Sequence, residues 1–238
     1  MKNISKMGLS KCPGIANQQI YTHKVVQPYE KYLKKLFEQY VEKTYDYCPY
    51  LESANRKKFV KTDVFLLKTT DPEKISEELF YYFLEKIELF RFNRSRLTKD
   101  SIPFYTLNII FDVELEKSIN LDWETIISWP HYMVKYLYSS EQIMFGKFWK
   151  NEITKSKFKE GNIPIPSINF LSIRTAIKKR DPLLLSKTKD LAIQIENSVI
   201  TNNSVIYING TRIDIVTPDE LKEMDYYNYL KKTILQTN

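Results

Sequence analysis

Glycine, histidine and cysteine are scarce: the 238 residues include 5 Gly, 2 His and 2 Cys. So few glycines argue against a Gly-rich phosphate loop, and neither a Walker loop nor a dinucleotide fingerprint occurs. The two histidines, His23 and His131, exclude a three-histidine metal site. H-E-x-x-H, C-x-x-C and G-x-S-x-G motifs are also absent. The sequence therefore carries none of the common catalytic signatures.

Long hydrophobic runs are missing as well. No stretch reaches the ~18 apolar residues of a membrane-spanning helix. The start of the chain has no apolar segment typical of a signal peptide. We therefore expect a cytoplasmic protein without a membrane partner. In that compartment Cys12 and Cys48 are expected to be thiols or ligands rather than a disulfide.

The surface charge is positive, with a net charge of +7. Lysines are scattered among glutamates at helical spacing, which is typical of a solvated surface. The stretch Arg91–Arg96, with Phe92 interleaved, is the one pattern that would suit nucleic acid. The composition favours a small-molecule ligand over nucleic acid as the partner, and it leaves homo-oligomerisation open.

The chain is predicted to be organised around Ile102–Val113, a run of aromatic and β-branched residues. Such a run indicates a central strand covered on both faces. Pro103 stands near its start, where a missing N–H is tolerated. We predict a flexible arm over 1–25, a core domain over 26–198, and a hairpin–helix appendage packed on the core over 199–238.

Periodicity and capping residues predict the remaining elements. Pro130 should kink or split its helix, and Asn209-Gly210 predicts a type I′ hairpin turn. The fold class is α+β, with a mostly antiparallel central sheet flanked by helices and a C-terminal β-hairpin and helix. Predicted helices cover 28–44, 72–96, 122–138, 187–197 and 217–235; predicted strands cover 64–68, 142–149, 169–177 and the hairpin 204–216; predicted loops cover 45–58 and 150–168.

Cys48 precedes Pro49, as Cys12 precedes Pro13. A thiolate can be an axial ligand of haem iron, and a neighbouring proline can hold it on a rigid turn. The alternative is that Cys48 packs as a small apolar residue beside tyrosines. Cys12 lies in the predicted arm and is expected to be inert.

His131 and Arg174 are the other candidates for binding a cofactor. His131 follows Pro130 at the expected kink, where it could be a metal ligand or a base, or an ordinary helix-surface histidine. Arg174 lies within an apolar strand and needs a carboxylate partner, either Asp112 or Asp181 within the protein or one on a ligand.

Three aromatic residues are candidates for lining a substrate pocket, although aromatic residues of this kind also build ordinary cores. They are Tyr50, Tyr105 and Trp149.

Four blocks in order along the chain resemble an uncharacterised bacterial family, a domain of unknown function often met near small-molecule biosynthesis genes. The resemblance covers roughly residues 30–185. The blocks are Cys48-Pro49-Tyr50; the strand Leu107–Phe111 with a following helix that carries Trp123; Met144–Phe148; and Pro164-x-Pro166 followed by Phe170–Arg174 and Asp181-Pro182-Leu183.

That family is distantly similar to the YqcI/YcgG proteins, some of which are haem-dependent enzymes that hydroxylate amine or guanidine nitrogen. The resemblance implies that Cys48 or His131 would hold haem iron and that Arg174 would hold a substrate carboxylate or a haem propionate. Trp149 and Thr175 stand where the family pattern has histidine. This departure keeps open a non-catalytic small-molecule-binding or partner protein on the same fold, and the basic surface keeps open nucleic-acid binding.

Overall fold

The computed structural model describes residues 28–48, 50–113, 121–138, 141–156, 159–176, 207–208, 211–212 and 217–237. The fold is α+β, as predicted. The helices are α1 (Pro28–Lys43), α2 (Leu51–Arg56), α3 (Pro72–Ser95), α4 (Trp123–Leu137), α5 (Pro218–Glu223) and α6 (Tyr226–Thr237), with 3₁₀ turns at Tyr45–Tyr47 and Ile102–Phe104. The strands are β1 (Val60–Leu67), β2 (Thr106–Val113), β3 (Ile143–Phe148), β4 (Asn169–Thr175), β5 (Tyr207–Ile208) and β6 (Thr211–Arg212).

The first four strands form one sheet in the order β1-β2-β4-β3. β4 pairs antiparallel with both β2 and β3, whereas β1 and β2 are parallel. The sheet is therefore mixed, and the prediction of a mostly antiparallel sheet is wrong. The reason is that α3 connects β1 to β2. This helix is long enough for the chain to cross over the sheet and start β2 at the same edge as β1, so the two strands run parallel.

Local sequence explains where α3 begins. Asp71 caps it, since its carboxylate accepts hydrogen bonds from the N–H groups of Glu73 and Lys74 at 3.0 and 3.4 Å. Pro72 fills the first helical position, where a missing N–H is harmless. The crossover helix thus starts where the sequence predicts.

The predicted central strand lies inside the sheet as β2, but its first predicted residues, Ile102–Phe104, form a 3₁₀ turn instead. Every residue after Thr106 in β2 is buried. Its side chains alternate between the two faces of the sheet, as the period of two requires. Leu107, Ile109 and Phe111 pack beneath α3 and α4, while Ile110 packs beneath α1. One face of the sheet is therefore covered by α3 and α4, and the other by α1.

α4 runs continuously through Pro130, so the predicted split is absent. Proline has no N–H to donate to the carbonyl four residues earlier, which is that of Ile126. The Ser76 hydroxyl of α3 donates to this carbonyl at 2.6 Å instead. A neighbouring helix thus satisfies the acceptor that Pro130 leaves behind.

The C-terminal helices pack on the same core. Leu221 of α5 and Tyr227 of α6 are buried in the cluster formed by α3, α4 and the sheet. A capping box formed by Thr217 and Glu220 begins α5. The predicted single helix to Leu235 is wrong, because the chain turns at Asp225 with φ of 51° and begins a second helix.

Other predictions have mixed outcomes. The predicted loop 45–58 is wrong where it contains α2. β5 and β6 pair antiparallel over two residues each, while the rest of the predicted hairpin lies outside the described residues and stays a prediction. The arm 1–25 and the helix 187–197 also lie outside them, and the domain boundaries stay predictions.

None of the helices in the described ranges combines the length and apolarity needed to cross a membrane.

Candidate functional site

A cavity of about 280 Å³ lies against the face of the sheet that α1 covers. Helices α1 and α2 and both 3₁₀ turns surround it, and strands β2, β3 and β4 supply its floor. Most lining side chains are aromatic or aliphatic, as in small-molecule sites generally. The lining residues are Phe37, Tyr40, Val41, Thr44, Tyr47, Cys48, Tyr50, Leu51, Ala54, Pro103, Phe104, Thr106, Asn108, Phe148, Ile163, Phe170, Ser172 and Arg174.

Four polar side chains lie on the strand floor. Thr106 is paired with Arg174, and Asn108 with Ser172, across β2 and β4. Residues directly opposite each other on one face have neighbouring side chains. The Asn108 amide donates to the Lys61 carbonyl at 3.2 Å. The floor therefore offers two hydroxyls, an amide and a guanidinium within one small area.

Arg174 carries the only formal charge among the lining residues that the structure describes. One of its guanidinium N–H groups donates to the Thr175 carbonyl at 3.1 Å. Asp112 is not its partner, because the register places Arg174 opposite Thr106, six residues away along β2. Six strand residues span about 20 Å. The other predicted partner, Asp181, lies outside the described residues.

Cys48 and Tyr50 both line the cavity wall. Cys48 follows the first 3₁₀ turn, and its N–H bonds to the carbonyl of Thr44 at 3.2 Å. Tyr50 precedes α2 and packs against Phe104, with ring centroids 6.1 Å apart. The structure thus brings three predicted site residues, Cys48, Tyr50 and Arg174, to one cavity.

The segment between β3 and β4 contributes Ile163 to the cavity lining. The Ile163 N–H donates to the Thr154 carbonyl at 2.9 Å. The Lys159 ammonium lies 3.4 Å from the Asp46 carboxylate and 5.5 Å from the centre of the Tyr47 ring. This predicted loop is therefore attached to the first 3₁₀ turn beside the cavity.

His131 lies on the other side of the sheet, on α4. Its Nε2 is 3.3 Å from the Phe145 carbonyl, which can only accept, so this nitrogen carries the proton. Burial, together with the positive charge of Lys135, lowers the pKa of His131 to about 3. The imidazole is therefore neutral at physiological pH and serves to join α4 to β3.

Tyr105 and Trp149 also lie apart from the cavity. Tyr105 is buried beneath α3, where it stacks on Phe90 with centroids 5.1 Å apart. Trp149 packs at the edge of the same cluster. Both belong to the core between the sheet and the α3–α4 layer.

The structure does not bring Cys48 and His131 together, since they lie on opposite faces of the sheet. Within the described part of the chain, no three His, Cys, Asp or Glu side chains gather into a group that could hold a metal ion. A metal site that uses both predicted ligands is therefore not supported.

Sequence reasoning missed most of the cavity, including Asn108, Ser172 and the aromatic residues Phe104, Phe148 and Phe170. One pattern could have found the polar ones. Ser172 and Arg174 fall on the same face of an otherwise apolar strand, and Thr106 and Asn108 alternate in the same way on β2. Polar residues at a period of two within a buried strand indicate a floor that faces something other than core.

The basic stretch Arg91–Arg96 is largely engaged within the protein. Arg91 forms ion pairs with Glu88 at 2.9 Å and Glu141 at 3.1 Å. Arg94 donates to the Glu141 carbonyl at 3.1 Å, and Arg96 lies over the Phe92 ring. Because much of its positive charge is already paired within the protein, the stretch gives no support to nucleic-acid binding.

No protein-family model, curated protein or solved structure matches this chain.

Proposed function

We propose that this protein binds a small, mainly apolar molecule that carries a carboxylate or another anionic group. Arg174 is the observation that carries this proposal, because it places one positive charge in a cavity whose other lining residues are uncharged. A charge interacts more strongly at such a site than in water, since the surroundings are less polarisable. A carboxylate can accept hydrogen bonds from more than one of the N–H groups of a guanidinium at once.

The cavity walls suit the rest of such a ligand. Phe148 and Phe170 stack at 4.4 Å, and Phe37 meets Phe170 edge to face at 5.1 Å. Aromatic walls provide a large apolar contact area, while Asn108 and Ser172 offer hydrogen bonds that can fix orientation. The volume of about 280 Å³ lies just below the range of roughly 300–1,000 Å³ that is typical of small-molecule sites.

Arg174→Gln should weaken binding of octanoate and phenylacetate about 10- to 100-fold, the effect of removing a hydrogen bond to a charged group. The affinity for the neutral amides of the same acids should change little in this variant, because an uncharged ligand gains little from the charge of Arg174. Titration calorimetry on the wild type and on the variant measures both effects.

Arg96→Gln is the matched control, since it removes an arginine that lies over Phe92 on α3. This variant should bind the acids and the amides with the same affinities as the wild type. Equal losses for acids and amides in Arg174→Gln, or no loss for either, would contradict the proposal.

The haem-dependent hydroxylation of an amine or guanidine nitrogen that the resemblance implies is the second candidate. The observation in its favour is that the Cys48 thiol and the Arg174 guanidinium line one cavity, where they would hold iron and a propionate. Haem would supply oxygen activation. Two observations count against it: His131 lies on the other face of the sheet, and the small volume suits a ligand smaller than a porphyrin.

A visible absorption spectrum of the purified protein titrated with haemin tests this second candidate. A sharp Soret band at one-to-one stoichiometry that shifts in Cys48→Ala but not in Cys12→Ala would support it. A spectrum like that of haemin with an inert control protein would remove haem and leave the acid-binding function.

A further inference from the structure

The cavity extends along β4. Phe170, Ser172 and Arg174 line it in sequence along one face of this strand. Extended residues advance by about 3.4 Å each, so the Cα atoms of Phe170 and Arg174 lie about 14 Å apart. The two ends of the cavity are therefore separated by several times the width of a carboxylate group.

The Phe170 end is apolar and largely buried. Phe170 and Phe37 are only 3% and 2% exposed. Phe148, which is half-buried, is opposite Phe170 in the pairing of β3 with β4, and the Tyr40 ring lies 5.5 Å from that of Phe170. This aromatic cluster gives the inner end a surface that favours hydrocarbon.

The middle of the floor has small side chains. Ser172 lies between Asn108 on β2 and Gly146 on β3. A Cβ atom at Gly146 would come within 3.0 Å of the Phe148 ring, so glycine allows this ring to lie back over the strand. The middle of the floor therefore has only small side chains of its own, Ser172 and Gly146, and the Phe148 ring covers Gly146 on the β3 side.

The Arg174 end is polar and more open to water. Arg174, Tyr50 and Thr106 are each half-buried rather than buried, and Thr106 lies opposite Arg174. A charged group placed here keeps part of its hydration while it meets the guanidinium. This gradient, from a charged outer end to an aromatic inner end, matches an amphipathic molecule in one orientation only.

We infer that the ligand is an unbranched amphipathic carboxylate of medium chain length. Its carboxylate meets Arg174, its chain lies along Ser172, and its end reaches the cluster of Phe37, Phe148 and Phe170. The inference rests on the proposed anion-binding function and adds the ligand's shape and orientation. The buried Phe170 ring at the inner end sets an upper limit on the length of the chain.

Titration calorimetry with butanoate, hexanoate, octanoate, decanoate and hexadecanoate, each below its micelle-forming concentration, tests the inference on the full chain. Affinity should rise about fourfold for each methylene group that enters the cavity. It should reach a maximum at octanoate or decanoate and fall sharply at hexadecanoate, whose chain exceeds the distance to Phe170.

Two variants distinguish the effect of the cavity's length on the preferred acid from the effect of the Arg174 charge. Ser172→Leu fills the middle of the floor and should move the maximum to hexanoate or butanoate, while Arg174→Gln should lower every affinity without moving the maximum. Ser95→Leu, an exposed position on α3, is the control for added bulk. Circular dichroism shows whether each variant is folded.

The possible failures are distinguishable. If no acid binds, the proposed function fails and the inference fails with it. If acids bind in an Arg174-dependent manner but with equal affinity at every chain length, the function stands and the inference is overturned. An unmoved maximum in folded Ser172→Leu would also overturn it.

Discussion

Replacing Asp112 with asparagine should lower the free energy of unfolding by about 2–4 kcal/mol. Asp112 lies near the end of β2 with its side chain only 4% exposed. Its carboxylate accepts hydrogen bonds from the Tyr29 hydroxyl at 2.8 Å and the Lys150 ammonium at 2.6 Å. Both of these bonds go to Oδ2, while Oδ1 accepts a hydrogen bond from the Val113 N–H at 2.9 Å. Asparagine keeps the shape but loses the charge, and in either orientation of its amide the NH2 group faces at least one of these donors.

The same contacts position the cavity. Tyr29 belongs to α1, and Lys150 begins the segment that follows β3, so one carboxylate joins both to the sheet. Burial and the hydrogen bond to Asp112 raise the pKa of Tyr29, so its hydroxyl keeps the proton that it donates. Because α1 supplies Phe37 and Tyr40 to the cavity, Asp112→Asn should also weaken octanoate binding.

Asp63→Asn is a matched control with the same partner types. Asp63 accepts a hydrogen bond from the Tyr82 hydroxyl at 3.0 Å and pairs with Lys86 at 2.9 Å, but its side chain is 35% exposed. Water can replace its contacts, so the loss should be about 1 kcal/mol or less. Urea unfolding followed by circular dichroism compares the two variants. Equal losses at both positions would contradict the role given to burial.

The sequence predicted the elements better than their arrangement. The apolar run at Ile102–Val113 correctly indicated a central strand because burial on both faces leaves a continuous apolar pattern. The direction of β1 relative to β2 depends on how α3 crosses the sheet, which no local pattern records. The helix between two strands was the available signal for a parallel pair, and the uneven spacing of the other elements obscured it.

Arg174 shows the same limit at the level of one contact. Its position in an apolar strand singled it out as a candidate, and the structure places it on the same face of β4 as Phe170 and Ser172, where all three line the cavity. To judge whether Asp112 could be its partner, one needs the register of β2 against β4, which is set by tertiary pairing. The register instead joins Arg174 to Thr106 and leaves Asp112 to Tyr29 and Lys150.

The predicted site residues divide according to the side of the sheet on which they lie. Cys48, Tyr50 and Arg174 reach the α1 side, while His131, Tyr105 and Trp149 belong to the layer beneath α3 and α4. Residue type and local sequence context selected all six, and neither separates a site from a core, since thiols, imidazoles and aromatic rings suit both. Only the packing of helices on a sheet with two covered faces separates the two groups.

Phe170→Ala should destabilise the protein by about 3 kcal/mol, near the lower end of the range for truncating a buried phenylalanine. The Phe170 ring stacks on Phe148 at 4.4 Å and meets Phe37 and Tyr40 edge to face. All these contacts would be lost. The value stays at the low end because Phe170 borders an existing cavity, so the substitution enlarges a space rather than opening one in solid core.

Two further variants test this account by urea unfolding. Phe92→Ala removes a ring that is 48% exposed on α3 and should cost less than about 1 kcal/mol. Phe170→Leu keeps most of the volume and should cost less than about 1.5 kcal/mol. If Phe170→Ala were no more damaging than Phe92→Ala, the aromatic cluster would not be part of the stable core.

The same substitution also bears on the ligand. With the Phe170 ring removed, the inner end of the cavity retreats along β4, and the preferred acid should become longer, from octanoate or decanoate towards dodecanoate. Phe170→Leu should leave the preference nearly unchanged because it keeps the cavity closed. A shorter preferred chain in folded Phe170→Ala would mean that the ligand enters with the opposite orientation, its carboxylate at the aromatic end.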